Sequence, residues 1–235
     1  MLADIRAAFS FLTILPLGSP SGRKRGWSFA WFPLVGLCIG ALLVGVAAHS
    51  PLDRELSAFL ILLVWVLITG GLHLDGFGDS CDGLLAAVEP EARLRIMRDP
   101  RAGMWAVAGT VMLLLGKWLA IRACPSEMLV LAPVLGRWAM ALAAYAFPSA
   151  SDDGLAATFR DGLARRHVIL AAVWVVILLT HIELLALALG SCVFTVVFGW
   201  WAARRLGGGL TGDTYGAICE LTELLSLLIL AALYG

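Results

Sequence analysis

The sequence predicts an all-α fold: a polytopic membrane bundle of about seven transmembrane helices, with active-site loops on the cytoplasmic face. Three observations predict it. Of 235 residues, 60% are hydrophobic and only 14% charged, with a mean hydropathy of +0.90, whereas a soluble domain carries about 25% charged residues. Apolar runs of roughly 20 residues, the length that crosses a bilayer, recur along the chain. The Lys and Arg residues between those runs fall almost entirely on alternate loops.

Taken in order, the N-terminal MLADIRAAFSFLTILPL has a short apolar run ending at Pro16. It reads as an interfacial or re-entrant segment and not as a cleavable signal peptide. Candidate spans follow near 29–49, 56–73, 104–122, 127–147, 168–182, 184–203 and 217–234. The fifth and sixth are separated only by His181, Ile182 and Glu183, which predicts a tight helical hairpin. No repeat, low-complexity tract or soluble domain interrupts them, so residues 1–235 form a single membrane-embedded catalytic domain. The cysteines at 38, 81, 124, 192 and 219 are scattered through apolar runs without metal-ligand spacing, and Cys81 reads as a small filler. Trp27/Trp31 and Trp200/Trp201 are placed as interfacial belt residues. Formal net charge is zero, and no basic domain suggests nucleic acid.

The charge census assigns one side Arg23, Lys24 and Arg25; Arg93, Arg95, Arg98 and Arg101; Arg160, Arg165 and Arg166; and Arg204 and Arg205. The other side receives Arg54 and Arg122. Basic loops stay in the cytoplasm, so the loops after residue 73, at 148–167 and at 204–216 all face that side.

Three of these regions carry chemistry. In GGLHLDGFGDSCDG, Asp75, Asp79 and Asp82 fall at i, i+4 and i+7, on one stripe if helical. Like charges on one stripe repel, and between Arg25 and Arg93 the only cation is Arg54, on the far side. A hard divalent ion fits, because Mg²⁺ takes carboxylate oxygens and keeps sites open for substrate phosphate. Gly76, Gly78 and Gly83 permit close approach of a ligand or helix. His73 precedes the cluster as a ligand, proton shuttle or interfacial anchor. In RLRIMRDPRAG, Arg98 and Arg101 are candidates to clamp phosphate through bidentate guanidinium contacts; positive-inside anchoring is the alternative. In GGGLTGDTYGAICELTE, a glycine-rich turn with Thr211 and Gly212 opens a helix, a phosphate-binding arrangement. Asp213 and Glu220 share a face of that helix and are expected to join the metal site. Lys117 and Arg137 lie inside predicted spans, where cations must be paired or face a polar cavity. They are candidates for substrate phosphate, with counter-ion pairing to Glu220 or Glu223 as the alternative. Carboxylates for Mg²⁺, arginines for phosphate and a glycine turn at one membrane face are the equipment of phosphoryl-group transfer.

Beyond this reading of the residues, GGLHLDGFGDSCDG, IMRDPRAG and GGLTGDTYGAICELTELL resemble, in order and spacing, the signatures of the cobalamin synthase (adenosylcobinamide-GDP ribazoletransferase) family. FSFLTILPL, FPLVGLCIGALL, Lys117 and Gly136-Arg137 match as well, so the resemblance covers nearly the whole chain. Ile14, Pro100 and Met104-Trp105 depart from the family pattern. The resemblance implies a multi-pass inner-membrane enzyme that uses Mg²⁺. It would join adenosylcobinamide-GDP to α-ribazole or its 5′-phosphate, release GMP and complete the nucleotide loop of vitamin B12. Catalytic roles would fall on His73, Asp75, Asp79 and Asp82, and metal ligation on Asp75, Asp79, Asp82, Asp213 and Glu220. Membrane lipid, a second copy of the chain and other B12 nucleotide-loop enzymes are the further partners expected. A CDP-alcohol phosphotransferase is the enzymatic alternative, although its DGxxAR signature is missing. An ion-coupled transporter with Lys117 and Arg137 on its path is the non-enzymatic one.

Overall fold

The computed structural model describes residues 1–18, 26–150, 160–178 and 182–235. Arg23, Lys24, Arg25 and His181 lie outside the described residues. Among the described residues the protein is all α-helical apart from two 3₁₀ turns and loops, with no strand. Its helices are α1 (Leu2–Leu12), α2 (Phe32–His49), α3 (Arg54–Thr69), α4 (Leu72–Leu85), α5 (Pro90–Ile96), α6 (Met104–Ala123), α7 (Leu131–Ala146), α8 (Arg165–Ile177), α9 (Ile182–Arg205) and α10 (Gly212–Tyr234).

Among the described residues, five segments are long and apolar enough to cross a bilayer: Gly26–His49, Met104–Ala123, Ser126–Ala146, Leu184–Arg205 and Gly212–Tyr234. Two expectations of the seven-span reading change. The run near 56–73 is not one straight span: α3 and α4 meet at a 90° bend. Gly70 and Gly71 make that corner with φ of 61° and 69°, a left-handed conformation that glycine adopts without a Cβ penalty. The run near 168–182 contributes α8, which has 13 residues. At 1.5 Å per residue it reaches about 20 Å, short of a hydrocarbon core of about 30 Å.

Helix α7 forms the centre, with 13 buried residues along its 16 positions, and packs against α2 and α10. Lipid tails are as apolar as the side chains, so helix association here depends on close backbone approach. A Cβ on Gly40 would lie 2.6 Å from Val130 Cα. One on Gly136 would lie 2.8 Å from Glu223 Cγ. The short α1 buries Ala8 and Leu12 and stacks Phe11 on Phe32; its 11 residues are too few to span.

Among the described residues, contacts gather the Arg-rich loops at one end and Arg54 and Arg122 at the other. At one end Gly26 donates to the Asp161 carbonyl, Gly209 abuts Ser149 and Ala150, and Arg205 reaches the Ala86 carbonyl. Arg204 covers Trp200 and Arg205 covers Trp201. At the other end Arg122 pairs with Glu55 at 2.8 Å, and Arg54 donates to the Ala123 carbonyl. All five cysteines are free thiols.

Candidate active site

The corner at Gly70-Gly71 lays α4 across α10, and two glycines let the backbones touch. A Cβ on Gly76 would lie 2.9 Å from Asp213 Cα; one on Gly216 would lie 3.0 Å from the His73 carbonyl oxygen. Gly76 follows Asp75 directly, and the contact brings Asp213 within electrostatic reach of both Asp75 and Asp79. This contact brings together aspartates more than 130 residues apart in the chain. Among the described residues, no Lys or Arg forms an ion pair with Asp75, Asp79 or Asp213, although Arg98 lies within electrostatic reach of Asp213.

Asp82, on the same stripe, has a different setting. Its carboxylate accepts from the Gly103 N–H at 2.6 Å and the Ala106 N–H at 2.9 Å. It thereby supplies the N-terminus of α6 with the anion that free N–H groups and the helix dipole favour. Gly103 has no side chain to block it: a Cβ there would lie 2.6 Å from Asp82 Oδ1. His73 is about 200° around α4 from Asp75. It points inward, 2% exposed, and neither ring nitrogen has a hydrogen-bond partner among the described residues.

Two turns further along α10 the charges are balanced. Lys117 of α6 bridges Glu220 and Glu223, and Arg137 of α7 pairs with Glu223. Lys117 also lies 4.5 Å from the centre of the Trp65 ring. Arg137 is fully buried. The structure therefore places Lys117, Arg137 and Glu220 in an internal ion network, apart from the aspartates. The hub is Glu223, which the sequence reading treated only as a counter-ion. Its signal was the Glu220/Glu223 spacing of i, i+3, which points both side chains to one face. Lys117 and Arg137, the residues that motivated a transporter, are held in these ion pairs.

The arginine loop divides likewise. Arg101 is held by Asp99 in a two-point contact of 2.9 and 2.7 Å, and this exposed partner draws the Asp99 carboxyl down to about 2. Arg98 is exposed. Arg93, which sequence reasoning did not single out, is buried and donates to the Gly83 and Leu84 carbonyls at 3.0 and 2.9 Å, closing the C-terminus of α4. Thr211 caps α10: its hydroxyl accepts from the Thr214 N–H, and the Thr214 hydroxyl accepts from the Thr211 N–H. Gly212 is the exposed first residue of that helix. A parallel bridge between Ser149 and Leu210 pins the preceding turn.

Beside Asp75 and Asp79 an open cleft of ≈ 700 Å³ runs between α4 and the first turns of α6. Among the described residues no three acidic, histidine or cysteine side chains converge into a ready-made metal cage. Mg²⁺ is commonly held by one or two carboxylates plus waters and substrate phosphate, and the donor set of Asp75, Asp79 and Asp213 suits that mode.

The family model for cobalamin-5-phosphate synthase matches residues 4–231. The chain belongs to this family. It is 42% identical to an adenosylcobinamide-GDP ribazoletransferase of Pseudomonas syringae pv. syringae, over 96% of this chain and 98% of that protein. The protein of that name from Herpetosiphon aurantiacus is 37% identical over 99% and 98% of the two chains. Its counterpart in Geotalea daltonii is 36% identical over 100% and 99%. No solved structure matches the chain. The family match spans both halves of the assembled site, from the α4 aspartates to the turn and Asp213 that open α10.

Proposed function

We propose that this protein is a membrane-embedded adenosylcobinamide-GDP ribazoletransferase acting in assembly of the B12 nucleotide loop. The observation that carries the proposal is the meeting of Asp75, Asp79 and Asp213 at Gly76, within a chain whose full-length relatives bear that name. The acceptor hydroxyl of α-ribazole, or of its 5′-phosphate, attacks the phosphorus that carries cobinamide. A new P–O bond forms as the P–O bond to GMP breaks, GMP leaves, and the hydroxyl proton passes to a carboxylate of the site.

The residues divide the work by their settings. Asp75, Asp79 and Asp213 would hold Mg²⁺, which would supply charge neutralisation on the diphosphate. Arg98, exposed and free of a carboxylate partner among the described residues, supplies the phosphate contact. Asp82 fixes the start of α6 against the site, and Thr211 and Gly212 set the start of α10. The loops carrying these groups gather at the Arg-rich end, which by the charge rule is cytoplasmic; in a bacterium this is the inner membrane. The test is direct: purified protein, adenosylcobinamide-GDP, α-ribazole and Mg²⁺, with GMP and the cobalamin product measured. GMP release that requires α-ribazole supports the assignment, and none under any divalent ion overturns it.

A further inference from the structure

We infer that the cleft between α4 and α6 is the subsite for the base of the acceptor nucleoside, and that Thr110 and Gly78 set its specificity. This deepens the transferase proposal and rests on it. The cleft begins at the reacting groups, because Asp75 and Asp79 are part of its wall. Most of the rest of the lining is aliphatic or glycine: Leu72, Leu74, Ala106, Val107 and Val111, with Gly70 and Gly71 of the corner. Thr110 is the one uncharged polar side chain in the lining, and its hydroxyl has no hydrogen-bond partner among the described residues. Gly78 faces it, where an added Cβ would lie 3.5 Å from Ala106 Cβ and 3.6 Å from Thr110 Oγ1.

Size and chemistry select the occupant. A volume of ≈ 700 Å³ is in the range of small-molecule pockets. It is wide enough to accommodate a nucleoside. The base of α-ribazole is a flat, bicyclic and largely apolar heterocycle with one free ring nitrogen. Aliphatic walls with a single hydroxyl match it, and a base seated there directs its ribose towards Asp75 and Asp79. A diphosphate fits those walls poorly and is better served by the polar rim at Arg98.

The test uses the full-length protein in detergent, varying each substrate while the other is saturating. Thr110→Leu and Gly78→Ala should each raise the KM for α-ribazole by about 10-fold, the usual scale for a misfitted pocket. The KM for adenosylcobinamide-GDP and kcat should stay within about threefold, as expected when only ground-state binding of one substrate is lost. Met112→Phe, on the same helix but 69% exposed, should change neither KM. The alanine at 78 meets only ordinary contacts, so it remains informative if the Thr110 variant fails to fold. A rise in the KM for adenosylcobinamide-GDP instead would assign the cleft to the corrinoid and overturn the inference. Two unmoved KM values would overturn it too, leaving the cleft to lipid. Wild-type turnover alongside unmoved constants sinks the subsite alone, whereas an unaltered protein that releases no GMP sinks both readings.

Discussion

Asp213 and Glu223 stand on one helix, about three turns apart, in opposite electrostatic settings. Glu223, deep in the bundle, meets Lys117 and Arg137. Asp213, at the helix start, meets Asp75 and Asp79 across a glycine contact and forms no ion pair among the described residues. A charge inside a membrane bundle is costly without a partner, and the two ends meet that demand differently. At Glu223 the partner is built into the chain, and the result is a joint among α6, α7 and α10. At Asp213 no ion-pair partner is built in among the described residues, which leaves its carboxylate open for the cation that the proposed transferase site calls for. Acidic residues alone do not distinguish the two; the neighbouring helix does.

The strongest way to break this comparison is to neutralise the unpaired carboxylates one at a time. Asp75→Asn, Asp79→Asn and Asp213→Asn should each lower GMP release by about 10²–10³-fold, while melting in detergent shifts little. The double variant Asp79→Asn/Asp213→Asn should lose little beyond the worse single change, because the unit is already broken. Additive losses would separate α10 from the site.

The internal joint should respond in stability first. Glu223→Ala leaves Lys117 and Arg137 uncompensated in the bundle and should cost about 3–5 kcal/mol, read as loss of folded protein on size exclusion or a lower Tm. Pairing Glu223→Leu with Arg137→Met should recover much of that loss, because a buried ion pair can be replaced by apolar groups. A Glu223→Ala protein with wild-type Tm but no turnover would move the network into the active site.

Asp82 and Arg93 sharpen the comparison between these extremes, since both serve helix ends. Arg93→Leu orphans the Gly83 and Leu84 carbonyls and should destabilise by about 2 kcal/mol. Asp82→Asn weakens the cap on α6 and should cost about 1 kcal/mol. Thermal melts in matched detergent measure both.

The smallest effect belongs to Asp99 and Arg101. The folded Asp99 carboxyl is held at about 2, below its ordinary value near 3.9. Its contribution is therefore complete above pH ~4 and fades as pH falls towards ~2. The pair is solvent-exposed, so screening keeps the contribution small. Melting curves of Asp99→Asn and the unaltered protein should coincide at low pH and separate slightly, if at all, above it. Because Arg101 is already held by Asp99, Arg101→Lys should also lower turnover less than Arg98→Lys.

Much of this was legible in sequence because it depends on local pattern. Apolar run length identified the five long spans, and the Arg and Lys census grouped the described loops by end as their contacts do. The i, i+4, i+7 spacing put Asp75, Asp79 and Asp82 on one stripe. Cation burial cost marked Lys117 and Arg137 as needing partners. Other features depend on what packs against what. Two glycines were visible at 70 and 71, but their left-handed conformation and the 90° corner are set by α4 docking on α10. Spacing gives Asp82 the same standing as Asp79; only the approach of Gly103 turns it into a helix cap. Sequence likewise places Asp213 and Glu220 together on one face. The tertiary structure divides them, because a helix passes from the polar rim into a bundle interior where the nearest charges are Lys117 and Arg137.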